Sequence, residues 1–396
     1  MKVLFDNPEY DGQLLRALGA TYYGGADVGE CLATAQRIQE GDDASWYAEW
    51  LATGDRLAAA AAASGAAGYP VSAREAYLRA STYYRTAFIF LYRPPIDPRA
   101  LVALDRHRAA FRAAAAMFAP AFEPVAIPYD GTTLAGYFYR ADETGAPRPT
   151  LLLTCGYDGT NEEGYYSLVG ALRRGYNAFC FDGPGQGVVL FEQQRYMRPD
   201  WERVITPVVD YLLTRPEVDS RRIALMGRSW GGYLAPRAAT AEHRLAACIA
   251  DPGLYTPGDM AGMLPPEFRQ AFAAGDEAAL APMFAKMMQS PMLAFTLKRG
   301  MLVHGKDSPL AYLQAMREYT LEGLAGQITC PTLISQAQDD VRASQSQHLY
   351  DALTCPKKLL FFANAEGAGE HTEAGASALF DQRVYDWLDE TLAARG

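Results

Sequence analysis

Residues 221–239 read RRIALMGRSWGGYLAPRAA: an apolar run reaches Gly227, turns through Arg228, Ser229, Trp230, Gly231 and Gly232, and passes into an alanine-rich segment. The first half has the pattern of a buried strand and the second that of a helix. A serine at such a junction fits a strand-turn-helix elbow, which holds a nucleophile in a strained backbone conformation. Residues two before and two after it must then be small, as Gly227 and Gly231 are. The turn lifts the Ser229 hydroxyl clear of the sheet. The Trp230 N–H, at the first helical turn, points into the same space as a candidate oxyanion donor.

On both sides of this elbow, short apolar runs alternate with helical patterns: TLLLTC to Cys155, NAFCFD to Asp182, AACIAD to Asp251, TLISQAQDD to Asp340 and KKLLFFANA to Ala365. Repeated strand-helix-strand units predict a mostly parallel sheet covered on both faces, with a crevice at the strands' carboxyl ends. PVAIPYDGTTLAGYFYRA, from Pro124, adds an antiparallel hairpin around Asp130-Gly131. About 80 residues between Asp251 and Thr332 interrupt the alternation and predict a lid over about 252–328. Before residue 123 the pattern is helical, which divides the chain into a cap domain over 1–122 and a core over 123–396. Tyr77, Tyr84, Phe88 and Leu91 share one helical face there, as core packing or, for Tyr84, as the wall of an aromatic pocket.

A serine hydroxyl needs a base, and the base needs an orienting acid. Of the five histidines, His107, His243, His304 and His348 read as packing or surface residues. His371 stands in AEGAGEHTEAGA, a glycine-rich loop directly after the last strand, where the chain order serine, acid, histidine places the base. The acid should end the preceding strand; Asp340 is chosen and Asp339 is the fallback, because consecutive strand-end side chains diverge. The loop CGYDGTNEEGYY after the first parallel strand offers the N–H of Gly156 or Tyr157 as the second oxyanion donor. Asp158, Glu162, Glu163 and Tyr255 are candidates for orienting a substrate. FDGPGQGVV lacks the third glycine of a dinucleotide fingerprint, because position 188 is valine, and reads as a turn flanking the crevice.

The composition narrows the function. With 49% hydrophobic residues, 21% charged residues and a net charge of −10, the chain can bury a large core and is a poor partner for nucleic acid or an anionic membrane. Arg99, Arg106, Arg108 and Arg112 cluster near Asp97 and Asp105, as on a solvated helix face. The first residues do not read as a secretory signal, and the alanine-rich runs are short for a membrane span. Six scattered cysteines without a C-x-x-C pair read as reduced thiols of a cytoplasmic protein. No metal or cofactor motif is present, so none is expected.

SAREAYLRASTYYRTAFIFL, CGYDGTNEEGYY, FDGPGQG, GRSWGGYLAPRAA, ITCPTLISQAQDD and EGAGEH occur in that order from about residue 70 onward. Together they resemble the α/β-hydrolase branch that contains 2,6-dihydroxypseudooxynicotine hydrolase, the fermentation-respiration switch protein and fungal polyketide-shortening hydrolases. The resemblance implies an α/β-hydrolase core under an N-terminal helical cap, a triad of Ser229, Asp340 and His371, and a homodimer. It implies a small-molecule substrate, aromatic or polyketide-like, met in secondary metabolism or aromatic catabolism. Cleavage of a C–C bond beside a carbonyl, or of an ester, is the expected reaction. Acyl transfer or cyclisation through the same acyl-serine, and ligand binding without catalysis, are the alternatives. Cys155 departs from the branch where glycine is common, and Gln338 where an acidic residue is frequent.

Overall fold

In the computed structural model, residues 1–258 and 264–394 are described. Eight strands form one sheet: β1 (Glu123–Tyr129), β2 (Thr132–Tyr139), β3 (Arg148–Thr154), β4 (Asn177–Phe181), β5 (Val218–Arg228), β6 (Ala247–Asp251), β7 (Thr332–Ala337) and β8 (Lys357–Phe362). Their order is β1-β2-β4-β3-β5-β6-β7-β8. The β1–β2 and β2–β4 pairs are antiparallel, and the remaining pairs are parallel. Asp130 and Gly131 both have positive φ, 44° and 75°, which suits the two-residue hairpin turn between β1 and β2. All of β4 and β6 is buried, as continuous apolar strands covered on both faces must be.

Five α-helices precede the sheet: α1 (Pro8–Gly19), α2 (Val28–Ala35), α3 (Asp43–Ala66), α4 (Pro70–Ala87) and α5 (Pro98–Ala115). Their starts are written in the sequence. Asn7, Asp27, Asp42 and Asp97 each cap first-turn N–H groups, and α1, α4 and α5 carry proline in the first turn. Rings knit this layer together. Trp46 and Trp50 are fully buried, their ring centroids 5.8 Å apart, and the Trp46 indole donates to the Thr86 carbonyl at 2.8 Å. The α4 helix stops at Ala87, so Phe88 and Leu91 lie beyond it, although both are buried as their spacing predicts.

Within and around the sheet lie α6 (Asn161–Arg173), α7 (Gly187–Phe191), α8 (Glu202–Leu213) and α9 (Gly231–Ala239). Between β6 and β7 come α10 (Pro266–Ala274), α11 (Glu277–Met287), α12 (Pro291–Val303) and α13 (Pro309–Met316). They occupy the stretch read as a lid, of which residues 259–263 lie outside those described. The chain continues through α14 (Ser346–Ala352) and α15 (Ser377–Ala393). Among the described residues no helix is long and apolar enough to cross a membrane. Cys155 and Cys180 face each other, their sulfurs 3.8 Å apart.

Candidate active site

The β5–α9 junction is as tight as its glycines suggest. A Cβ on Gly227 would lie 1.9 Å from the Gly231 carbonyl oxygen, and one on Gly231 would lie 2.5 Å from that of Thr154. Ser229 between them has φ of 59°, the left-handed region that a non-glycine residue adopts only when its surroundings hold it there. Its own N–H is tied to the Asp251 carbonyl at 2.6 Å, so the end of β6 helps to fix the turn.

Two other strand ends bring partners to the Ser229 hydroxyl. His371, in the loop after β8, places Nε2 2.8 Å from Ser229 Oγ and Nδ1 2.5 Å from Asp340 Oδ2. Asp340 is not the last residue of a strand, as the pattern TLISQAQDD suggests; β7 ends at Ala337 and the acid sits in the following turn. There Asp340 accepts the Arg342 N–H through Oδ1 at 3.0 Å, which leaves Oδ2 for the imidazole. Burial alone would push its carboxyl up; the facing His371 and Arg342 outweigh that and hold it below its usual range. Asp339 points elsewhere, its carboxylate taking the Asn364 side-chain N–H at 2.7 Å on an exposed surface.

The loop after β3 closes over the same point. A Cβ on Gly156 would sit 2.8 Å from Ser229 Cβ and 3.0 Å from the Trp230 nitrogen, so this backbone passes directly against Ser229. Gln186, from the turn FDGPGQG, donates to the carbonyls of Cys155 (2.6 Å) and Gly156 (3.1 Å) and holds that loop from behind.

A match to the model described as alpha/beta hydrolase family covers residues 151–382, and one to the esterase FrsA-like family covers residues 36–255. The chain belongs to the alpha/beta hydrolase family. Hydrolase LUC6 from a Fusarium species is 34% identical over 100% of this chain and 99% of its own length. The 20-hydroxy-prefusarin hydrolase FUS2 from Gibberella moniliformis is also 34% identical, over 100% of this chain and 99% of that protein. Among solved structures, the 2,6-dihydroxy-pseudo-oxynicotine hydrolase superposes with a TM-score of 0.76 at 22% identity, covering 95% of this chain and 96% of that one. The branch suggested by the ordered motifs is therefore the one in which this hydrolase lies.

The residues expected to orient a substrate have the following partners within the chain. Asp158 is buried and meets Arg16 of α1 at 2.8 Å, Arg85 of α4 at 3.4 Å and Arg299 of α12 at 2.7 Å. Burial would push its carboxyl up, but these guanidinium groups hold it far below the usual carboxylate range. Glu163 pairs with Arg16 at 2.6 Å and Arg85 at 3.0 Å. Glu162 is buried beside His107, 3.7 Å away, and burial together with Asp182 pushes its carboxyl up. Tyr84 donates to Asp55 at 2.7 Å. Tyr255 is tied through its N–H to the Gln345 side chain at 2.9 Å. The arginines that hold Asp158 and Glu163 lie far away in sequence. The arginine face of α5 is also more paired than expected: Arg106 meets Asp55 and Arg108 meets Glu192, both at 2.6 Å.

Two sets of residues near the elbow escaped the sequence reading. Arg228 donates from Nη2 to the Thr372 carbonyl, lies 2.8 Å from Asp251 Oδ2, and is 3.7 Å from Glu373. Glu373 is buried with φ of 50°, and burial, then Asp251, push its carboxyl well above the usual range. His304, expected as a packing or surface residue, is buried, and its Nε2 lies 2.8 Å from the Tyr157 hydroxyl, a contact the sequence does not reveal.

Proposed function

We propose that this chain is a serine hydrolase that cleaves a C–C bond beside a carbonyl, or an ester, through an acyl-serine. The observation that carries the reading is the meeting of three side chains: Ser229 Oγ on His371 Nε2, and His371 Nδ1 on Asp340. In the proposed reaction His371 Nε2 takes the hydroxyl proton as Ser229 Oγ attacks the carbonyl carbon. Asp340 holds the imidazole in the tautomer whose Nε2 lone pair faces the serine. The negative charge that develops on the carbonyl oxygen is met by the N–H of Trp230 and that of Gly156 or Tyr157. Collapse breaks the bond to the leaving group, an alkoxide or an enolate, which takes the proton back from His371. Water, deprotonated by His371, then attacks the acyl carbon and restores the serine.

The helices over residues 1–122 and the insertion over 252–328 serve in this proposal as a cap and a lid. Arg16 and Arg299, one from each, both grip Asp158 in the loop that passes the nucleophile. An aromatic or polyketide-like small molecule is the proposed substrate class, supported by a full-length relative named for 20-hydroxy-prefusarin. The test is labelling with a fluorophosphonate, which phosphonylates an activated serine. Labelling of the wild type but not of Ser229→Ala is expected, and equal labelling of both would overturn the proposal. Product analysis in ¹⁸O-labelled water then separates hydrolysis from transfer, because hydrolysis puts the label in the released acid.

A further inference from the structure

The triad leaves one buried histidine near the nucleophile without a role. His304 caps the end of α12, within the insertion between β6 and β7. Its Nε2 is 2.8 Å from the hydroxyl of Tyr157 and its Nδ1 is 3.0 Å from that of Tyr319. Its ring stands edge-on to Tyr157 (81°), Tyr319 (87°) and Trp230 (85°). The Tyr157 and Trp230 rings lie against each other, their centroids 4.5 Å apart.

These contacts link the insertion to two of the candidate oxyanion donors, Trp230 and Tyr157. Trp230 begins the elbow helix, whose backbone is fixed by its own hydrogen bonds. Tyr157 is different, because residues 155–160 form an irregular loop between β3 and α6. Such a loop has no ladder to set its amide directions, yet an oxyanion donor has to be held to about half an ångström. Gln186 secures the carbonyls of Cys155 and Gly156. Beyond them, the Tyr157 ring rests on Trp230, and its hydroxyl meets His304 at 2.8 Å, with Tyr312 and Met316 of the same insertion farther off at 3.5 Å.

The imidazole also suits two phenols chemically. A neutral imidazole offers one N–H and one lone pair, so it donates to one hydroxyl and accepts from the other. Burial pushes His304 down to about 3, which keeps the ring in this neutral form at ordinary pH.

We infer that His304 is a positioning residue of the oxyanion loop, fixing Tyr157, and with it the loop amides, against Trp230 from the insertion. The inference rests on the acyl-serine reading above.

The test measures kinact and KI for fluorophosphonate labelling in the full-length protein. Tyr157→Phe keeps the ring and deletes the hydroxyl. His304→Gln can place a polar atom near the Nε2 position, and His304→Asn only near that of Nδ1. Tyr157→Phe and His304→Asn are expected to lower kinact on the order of tenfold to a hundredfold, with KI within about twofold of the wild type. His304→Gln should recover most of the rate, and the double variant Tyr157→Phe/His304→Asn should be no slower than either single variant. Full kinact in Tyr157→Phe would overturn the inference, as would equal loss in His304→Gln and His304→Asn, or additive losses in the double variant. Ser229→Ala separates the two readings. Labelling that survives in Ser229→Ala defeats the acyl-serine reading itself; labelling that depends on Ser229 but keeps full kinact in Tyr157→Phe defeats the His304 inference alone.

Discussion

Gly156 lies so close to Ser229 that the methyl group of an alanine there would sit 2.8 Å from the serine Cβ and 3.1 Å from its Oγ. Real Cβ atoms do not approach backbone or Cβ neighbours that closely, so Gly156→Ala must displace either the loop after β3 or the elbow. The loop, without a ladder of its own, should yield first. A loss of about a hundredfold in fluorophosphonate labelling rate is expected, because a shift near 1 Å at the reacting atoms has that effect. Thermal unfolding should show that the variant remains folded. A labelling rate equal to the wild type would mean that the loop has room the geometry denies it.

Asp340 and Asp339 are neighbours with opposite surroundings, one buried on His371 and the other exposed on Asn364. Asp340→Asn should lower turnover on the order of ten-thousandfold by favouring the wrong imidazole tautomer. Asp339→Asn should stay within about twofold, as surface substitutions usually do. Steady-state rates of the two variants with a p-nitrophenyl ester decide the matter, and a large loss in Asp339→Asn would reverse the assignment.

The Asp158 cluster predicts a pH-dependent contribution to stability. Its carboxyl is held far below the usual range in the folded chain, so the contribution is complete above the unfolded value of about 3.9. As the pH falls below that value, the contribution is lost progressively towards the folded pKa. Asp158→Asn leaves Arg85, whose side chain is 3% exposed, short of a counter-charge, and should cost about 3 kcal/mol or more at pH 7. Urea unfolding at pH 7 and at pH 3 should show the gap between wild type and variant narrowing at the lower pH.

Glu373 has the opposite sign. Its carboxyl is raised in the folded state, so the stability it contributes is full below the unfolded value of about 4.3 and is lost as the pH rises through the folded pKa. Glu373→Gln replaces the protonated acid with a neutral group of the same shape. The variant should match the wild type near pH 4 and melt at a higher temperature at pH 8. Equal melting temperatures at both pH values would show that Glu373 does not titrate in this way.

What was legible in the sequence follows the range of the forces involved. Gly227 and Gly231 meet a local steric demand that four consecutive bonds create, so the elbow was readable. The parallel strands were readable because burial on both faces leaves an unbroken apolar run. His371 emerged because so few histidines exist and only one follows the last strand. Asp340 lies 2.5 Å from that histidine, in a turn three residues past the end of β7 rather than at the strand end its sequence pattern suggests. The partners of Asp158, Glu163 and His304 are not legible in the sequence, because they come from remote parts of the chain. Arg16 lies 142 residues from Asp158, and Tyr157 lies 147 from His304. Neither pair leaves a periodicity or a spacing from which it could be inferred. Tyr84 had a periodicity, but a buried face does not reveal whether it meets Asp55 or a ligand.

One carboxylate, Asp158, is shared by guanidinium groups from α1, α4 and α12. Such sharing limits how the molecule can be re-engineered by parts. A chimera that imports only the insertion or only the leading helices from another member would bring an arginine too few or too many to this cluster of three arginines and two carboxylates. Donor segments would have to be exchanged together, or be chosen to carry arginine at all three places.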